Sequence, residues 1–221
     1  MATDIDIVNQ ALALLGDEAT VSSIDPPEGS AQAEHAARFY NMALDTMLDS
    51  HYWGFCSTRS YLNLLTDTPL FGWLYAYAVP NNAVNIFGIF QDGSLDDQNP
   101  QTYEMETLVD GTTVIYSNTE NAICRYTIRI TDTAKFQPAF VDAFVDKLAS
   151  LLAGPVLKGD TGAKMAMTYR NLFARESLPR AKESDAAQRK IVVRHNPDHL
   201  AARGSIPVNA YLDDNPGGWV R

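Results

Sequence analysis

The residues able to hold a metal or attack a substrate are few and scattered. His195 and His199 stand four apart, as two zinc ligands can, yet no Cys and no third His lies near them. They read as solvated residues. His35 and His51 are too far apart to share one face as a helical pair. Asp92, Asp96 and Asp97 in QDGSLDDQNPQ (91–101) bring calcium to mind. That run lacks the alternating acids before a glycine and the closing Glu that a calcium loop needs. No phosphate loop, dinucleotide fingerprint or nucleophile elbow occurs. Among the 27 acids no pair stands out as a hydrolytic couple. The expectation is therefore no catalytic residue, no metal and no cofactor.

Composition narrows the class. The chain has 221 residues, 46% of them hydrophobic, enough for one large domain or two small ones with a core. No apolar run reaches the ~18 residues of a membrane span. The opening MATDIDIVNQ has no basic start and no apolar block, so no signal peptide is expected. Cys56 and Cys124 are too few for a disulfide framework and read as small core residues, in keeping with a reducing cytoplasm. A net charge of −10 argues against a protein that grips phosphates, because that grip rests on Lys and Arg. It permits DNA to pass nearby without sticking.

Helices are expected at both ends of the chain. Thr3 and Asp6 make a capping box with a short acid. Ile5, Val8, Leu12 and Leu15 form a stripe widened by Ala11 and Leu14, and Gly16 is placed to end it. In the loop 16–29, Val21 and Ile24 should tuck inward, and Pro26-Pro27 stiffens the exit. Over 30–51, Ala33, Ala36, Ala37, Tyr40, Leu44, Met47, Leu48 and His51 share one face, lined with alanines that admit a close neighbour. Tyr52, Trp53 and Phe55 then form an aromatic anchor between a helical part and a sheet part.

The middle, 55–131, reads as an antiparallel meander of about six strands. Trp73, Tyr75 and Tyr77 alternate with Leu74, Ala76 and Ala78 up to Pro80. Residues 66–72 form a turn with Pro69 and Gly72 as breakers. Tyr103, Met105, Thr107 and Val109 make one strand face before the Asp110-Gly111 hairpin signal. Cys124, Tyr126, Ile128 and Ile130 oppose Arg125, Thr127 and Arg129, as in a half-buried strand. Trp53, Phe55, Trp73 and Tyr77 are expected as core between bundle and sheet.

Pro138 opens a third helix carrying Phe140, Phe144, Leu148, Leu151 and Leu152 as far as Gly154-Pro155. A fourth, 160–178, should turn Ala163, Ala166, Tyr169, Leu172 and Phe173 inward, and Pro179 should kink or end it. Residues 180–190 continue as polar helix. The fold class is α+β: a bundle domain of 1–54 and 132–189, an antiparallel β domain of 55–131, and an extended arm of 190–221. In that arm Ile191, Val192, Val193, Tyr211, Leu212 and Trp219 would be costly to leave in water. The arm is expected to lie on a neighbour by strand addition, with Ile191, Val193, Tyr211 and Trp219 as contacts.

Three motif blocks, in order, resemble the tail tubular protein A family of short-tailed bacteriophages. The first runs from Leu14-Leu15-Gly16 and Ser22-Ser23-Ile24-Asp25 through the alanine-rich helix to H-x-W-x-F (51–55) and a strand with Arg59. The second is W-x-Y-A-Y-x-x-P (73–80). The third is YTIRITDTAKFQPAFVDAF (126–144). The resemblance covers about 4–189 and leaves the arm outside. It implies a structural virion protein, assembled in the host cytoplasm and placed in the neck or tail. Such a head-to-tail adaptor forms a twelve-fold ring with itself, between the portal protein and a tail nozzle protein similar to tail tubular protein B. Genomic DNA passes through the lumen without sequence-specific binding, and no membrane is involved. Two other readings stay open: a tail-associated glycan hydrolase, and a monomeric phage-derived binding or assembly module.

Overall fold

The computed structural model describes residues 2–66, 69–93 and 99–188. The chain is α+β, with helices before and after six strands. Helix α1 (Asp4–Leu14) starts on the expected box, with Thr3 Oγ1 accepting from the Asp6 amide and the Asp6 carboxylate from the Thr3 amide. It stops at Gly16, whose φ of +78° is the left-handed conformation a glycine takes without strain. The buried stripe is Ile7, Val8, Ala11, Leu12 and Leu15. Ile7 replaces the expected Leu14, which is exposed, because the face is centred one residue earlier. The following loop docks as expected: Val21 and Ile24 are buried, and the Asn9 side chain bonds both backbone groups of Val21, at 2.8 and 3.0 Å.

Helix α2 (Ala31–Asp49) buries Ala33, Ala36, Tyr40, Ala43, Leu44, Met47 and Leu48. Helix α3 (Pro138–Leu157) is the centre of the bundle, and α1, α2 and the later helices all pack on it. It runs on past the expected stop at Gly154-Pro155. A proline in the last turn removes a single ladder bond, and the Lys158 amide still reaches Gly154 O at 3.0 Å. Lys158 then turns the chain at φ +55° and ψ +166°, a conformation nearly confined to glycine, which stores about 1–3 kcal/mol of strain.

Helix α4 (Gly159–Leu172) returns along α3 at close range. A Cβ on Gly162 would sit 2.8 Å from Ala153 O, so only glycine permits this approach. Gly162 takes the buried place expected of Ala163, which is exposed. Pro179 does not end the helix. A π turn, Phe173–Ser177, precedes it, closed by a bond from the Leu178 amide to Phe173 O, and α5 (Leu178–Ala187) continues beyond. The wider turn accommodates the donor that proline lacks.

The strands form two sheets rather than one meander. The first has the order β1 (Ser57–Tyr61), β6 (Ile123–Ile128), β3 (Ala83–Phe90), and the second β2 (Tyr75–Ala78), β5 (Thr113–Ser117), β4 (Tyr103–Thr107). Among the described residues all strand pairs are antiparallel, and of them only β4 and β5 are a consecutive hairpin, turning at Asp110-Gly111 as expected. The chain crosses between sheets where Leu62 bonds Ala122, and residues 63 and 65 then pair with β2. Tyr77 and Ile115 of the second sheet share a core with Ile86, Ile89, Cys124 and Tyr126 of the first. Val84 and Ile128, on the first sheet, pack against the helical core.

Strand β6 is therefore covered on both faces, and the expected half-buried strand is corrected. Thr127 is 0% exposed, and its hydroxyl has no hydrogen-bond partner among the described residues. An orphaned buried hydroxyl costs about 1–3 kcal/mol. Thr127→Val keeps the shape and removes the hydroxyl, so a gain of roughly 1 kcal/mol in urea unfolding is expected. A loss of stability would show that the hydroxyl is satisfied.

Candidate interaction surface

The junction of helix and sheet carries a buried polar node. After α2 the chain makes a tight turn, with the Trp53 amide on His51 O at 3.1 Å, then a 3-10 turn over Gly54–Cys56 into β1. The Trp53 indole donates to Met47 O at 2.8 Å and meets the Phe140 ring edge-on at 4.9 Å. Asp185, only 1% exposed, reaches in from α5. Its Oδ1 accepts from the Gly54 amide at 2.8 Å and from Gln137 Nε2 at 3.1 Å, while His51 Nε2 lies 3.4 Å from Oδ2. Three distant segments are thus fixed by one carboxylate. Its Oδ1 ties the Gly54 backbone and the Gln137 side chain to α5, while Oδ2 faces His51.

A second feature is acidic. Shallow grooves of about 400 and 270 Å³ flank Asp142 and Asp146 on α3. Gln10, Ala13 and Leu14 of α1 line the first, and Leu172, Glu176, Ser177 and Arg180 line the second. Burial holds the Asp146 carboxyl above the ordinary range against the opposing bond from Ser177 Oγ, and the charges of Asp142 and Glu176 push the same way as burial. Lys147 beside it is pushed down by burial and by Arg170. Among the described residues no group of three or more His, Cys, Asp or Glu is arranged to hold a metal ion.

The third feature is apolar and exposed. Leu70 and Phe71 are 98% and 88% exposed, and Leu74 stands out beside them. The base of this loop is tied down by Trp73 Nε1 on Glu104 Oε2 at 3.2 Å and by the Leu74 amide on Asn118 Oδ1 at 2.9 Å. Strand β4 ends the same sheet, with Glu104, Met105 and Glu106 exposed and Val109 at the hairpin tip. Of the expected strand face, Met105 and Thr107 lie in β4 and are exposed, and Val109 falls beyond the strand, at the hairpin. The signal for this surface lies in the 66–72 turn, where an apolar pair sits between Pro69 and Gly72. Turn tips are more often polar, so this exposed apolar pair makes the loop a candidate contact.

Trp53 and Tyr77 are buried and Phe55 half-buried, as expected of core residues. Tyr77 lies between the two sheets, and Trp73 packs with Leu65 and Leu108 on the outer face of the second sheet, so neither separates bundle from sheet. Cys56 and Cys124 are buried, and burial pushes the Cys124 thiol up to about 12. Asp96 and Asp97 lie outside the described residues, as do all four expected arm contacts, Ile191, Val193, Tyr211 and Trp219. No protein-family model matches the chain, and no curated protein matches it.

Proposed function

We propose that the chain is a head-to-tail adaptor of a short-tailed phage, a structural virion protein that forms a ring between the portal and the tail nozzle and extends the DNA channel. The observation that carries the reading is where the three motif blocks fall. H-x-W-x-F occupies the α2-to-β1 junction, W-x-Y-A-Y-x-x-P forms β2, and the long third block runs from β6 through the start of α3. Two of the three are the places where the bundle hands over to the sheets and back. In this reading the aromatic junction keeps bundle and sandwich in fixed relation, which a ring component under load requires. The exposed Leu70–Phe71 tip and the β4 edge are contacts for a neighbouring component, and Ile191, Val193, Tyr211 and Trp219 add to them. The acidic surface keeps passing DNA from adhering. No described helix is long and apolar enough to cross a membrane.

The test is mass in solution by light scattering, for the 24.4 kDa chain alone and after mixing with its cognate portal protein. Joining the portal in one fixed multiple is the expected result. A chain that ignores the portal at all concentrations sinks the adaptor reading.

A further inference from the structure

Charge along the chain is segregated. The first Lys or Arg is Arg38, and Asp or Glu occurs seven times before it. Residues 158–182 hold six Lys or Arg against two acids, although the whole chain stands at −10. On α4 the exposed Lys164 and Arg170 flank Met167, which is 66% exposed. Neither cation forms an ion pair among the described residues. The acidic counterpart is the stretch from Asp17 to Glu34. Gln32 Nε2 donates to Asp17 Oδ2 at 3.1 Å, which brings the loop after α1 beside the start of α2, and Glu18 and Glu34 in this stretch are both exposed. Exposed Pro27 and Ala31 lie in the same stretch.

We propose that the cationic face of α4 is the docking surface for the acidic 17–34 segment of a second copy of this chain. Among the described residues neither surface's charges form an ion pair, and each surface carries the sign that complements the other. An exposed Met between two cations suits a protein partner, since methionine and arginine are favoured in interfaces. A nucleic acid would use the cations and leave Met167 idle, and the net charge repels it at range. The contact deepens the ring reading and rests on it for the size of the assembly, while the charge pattern argues for the pairing itself.

Light scattering and sedimentation at about 50 mM salt, where surface charges are weakly screened, should show concentration-dependent self-association that is lost near 1 M. K164E/R170E and E18K/E34K should each be monomeric under the same conditions. An equal mixture of the two variants should associate again, because each supplies the complement of the other's reversed face. All four positions are exposed, so circular dichroism should be unchanged. A wild-type chain that stays monomeric at low salt, variants that still associate, or a mixture that does not recover each overturn the contact. Loss of duplex DNA binding in K164E/R170E without loss of self-association would assign the face to DNA and overturn it too. Portal capture by the wild-type chain is scored separately, so the contact can fail while the adaptor reading stands.

Discussion

Trp53→Ala should cost about 3–5 kcal/mol, the range for removing a large aromatic side chain from a packed core. The ring is 0% exposed and touches Phe140 at 4.9 Å, with Phe55 at 6.2 Å. Truncation opens a cavity among aromatic rings that are held from several sides and cannot collapse together. It also removes the indole donor from Met47 O, in the last turn of α2, which keeps the Ser50 amide and hydroxyl. Against a total stability of roughly 5–15 kcal/mol, such a loss is a third or more of the margin. The check is urea unfolding followed by circular dichroism. The midpoint should fall sharply while the slope stays constant, as for a two-state change in stability alone. Trp53→Phe keeps most of the volume and loses the indole donor, so it should cost less. Equal costs for both variants would mean that the hydrogen bond, and not the packing, carries the site.

The helix-to-sheet anchor was legible because a cluster of aromatic residues at the end of an apolar stripe has few other uses. The helix faces were legible for the same reason: the alanine-rich stripe of α2 repeats at the helical period, and the structure buries it almost unchanged. Pairing between strands was not. Period-two alternation shows that a segment is a strand and which residues share a face, but it carries no information about partners far along the chain. β1 pairs with β6, so Tyr61 meets Ile123 across the whole β region, and the local hairpin signal at Asp110-Gly111 specified only β4 with β5. The buried hydroxyl of Thr127 looked like an outward polar residue for the same reason: nothing local says that both faces of a strand are covered. Gly162 was hidden because its role is to be absent. The alanine next to it satisfies the helical period, and only the approach of the α3 backbone decides between them.

At the level of function the difference is sharper. The arm contacts were read from hydrophobic content alone, and they fall outside the described residues. The exposed apolar tip at Leu70 and Phe71 was present in the sequence as a turn between breakers, but its exposure depends on the second sheet ending there. The cationic face of α4 needed the fold as well, since alternating charges along a helix say little until the buried side is known.

Asp185→Ala is the second large effect, and it is the one the sequence concealed most fully. The residue sits in a polar helical run, RAKESDAAQ (180–188), where an acid reads as solvated surface. Its first partner, Gly54, is 131 residues away. Removing the carboxylate takes the side-chain acceptor from the Gly54 amide, leaves the Gln137 side-chain amide with Gln188 Oε1 alone, and takes the acid from beside His51. Hydrogen bonds to a charged group contribute about 1.5–3 kcal/mol each, and breaking a buried charged network from one side costs about 3–5 kcal/mol. The expected loss is therefore about 3 kcal/mol or more. Asp185→Asn keeps one oxygen for Gly54 and should recover part of it. Amide hydrogen exchange separates a latch from mere burial, because α5 is joined to the junction through this side chain. In Asp185→Ala the Gly54 amide and the α5 amides should lose protection together, while α1 and the sandwich strands keep theirs. If α5 stays protected at its wild-type level, its packing on α3 suffices and the carboxylate is not the latch. If protection falls everywhere equally, the node stabilises the whole fold and not one helix. The local outcome is expected because the contacts of α5 are few: among its residues only Ala181 and Asp185 are buried.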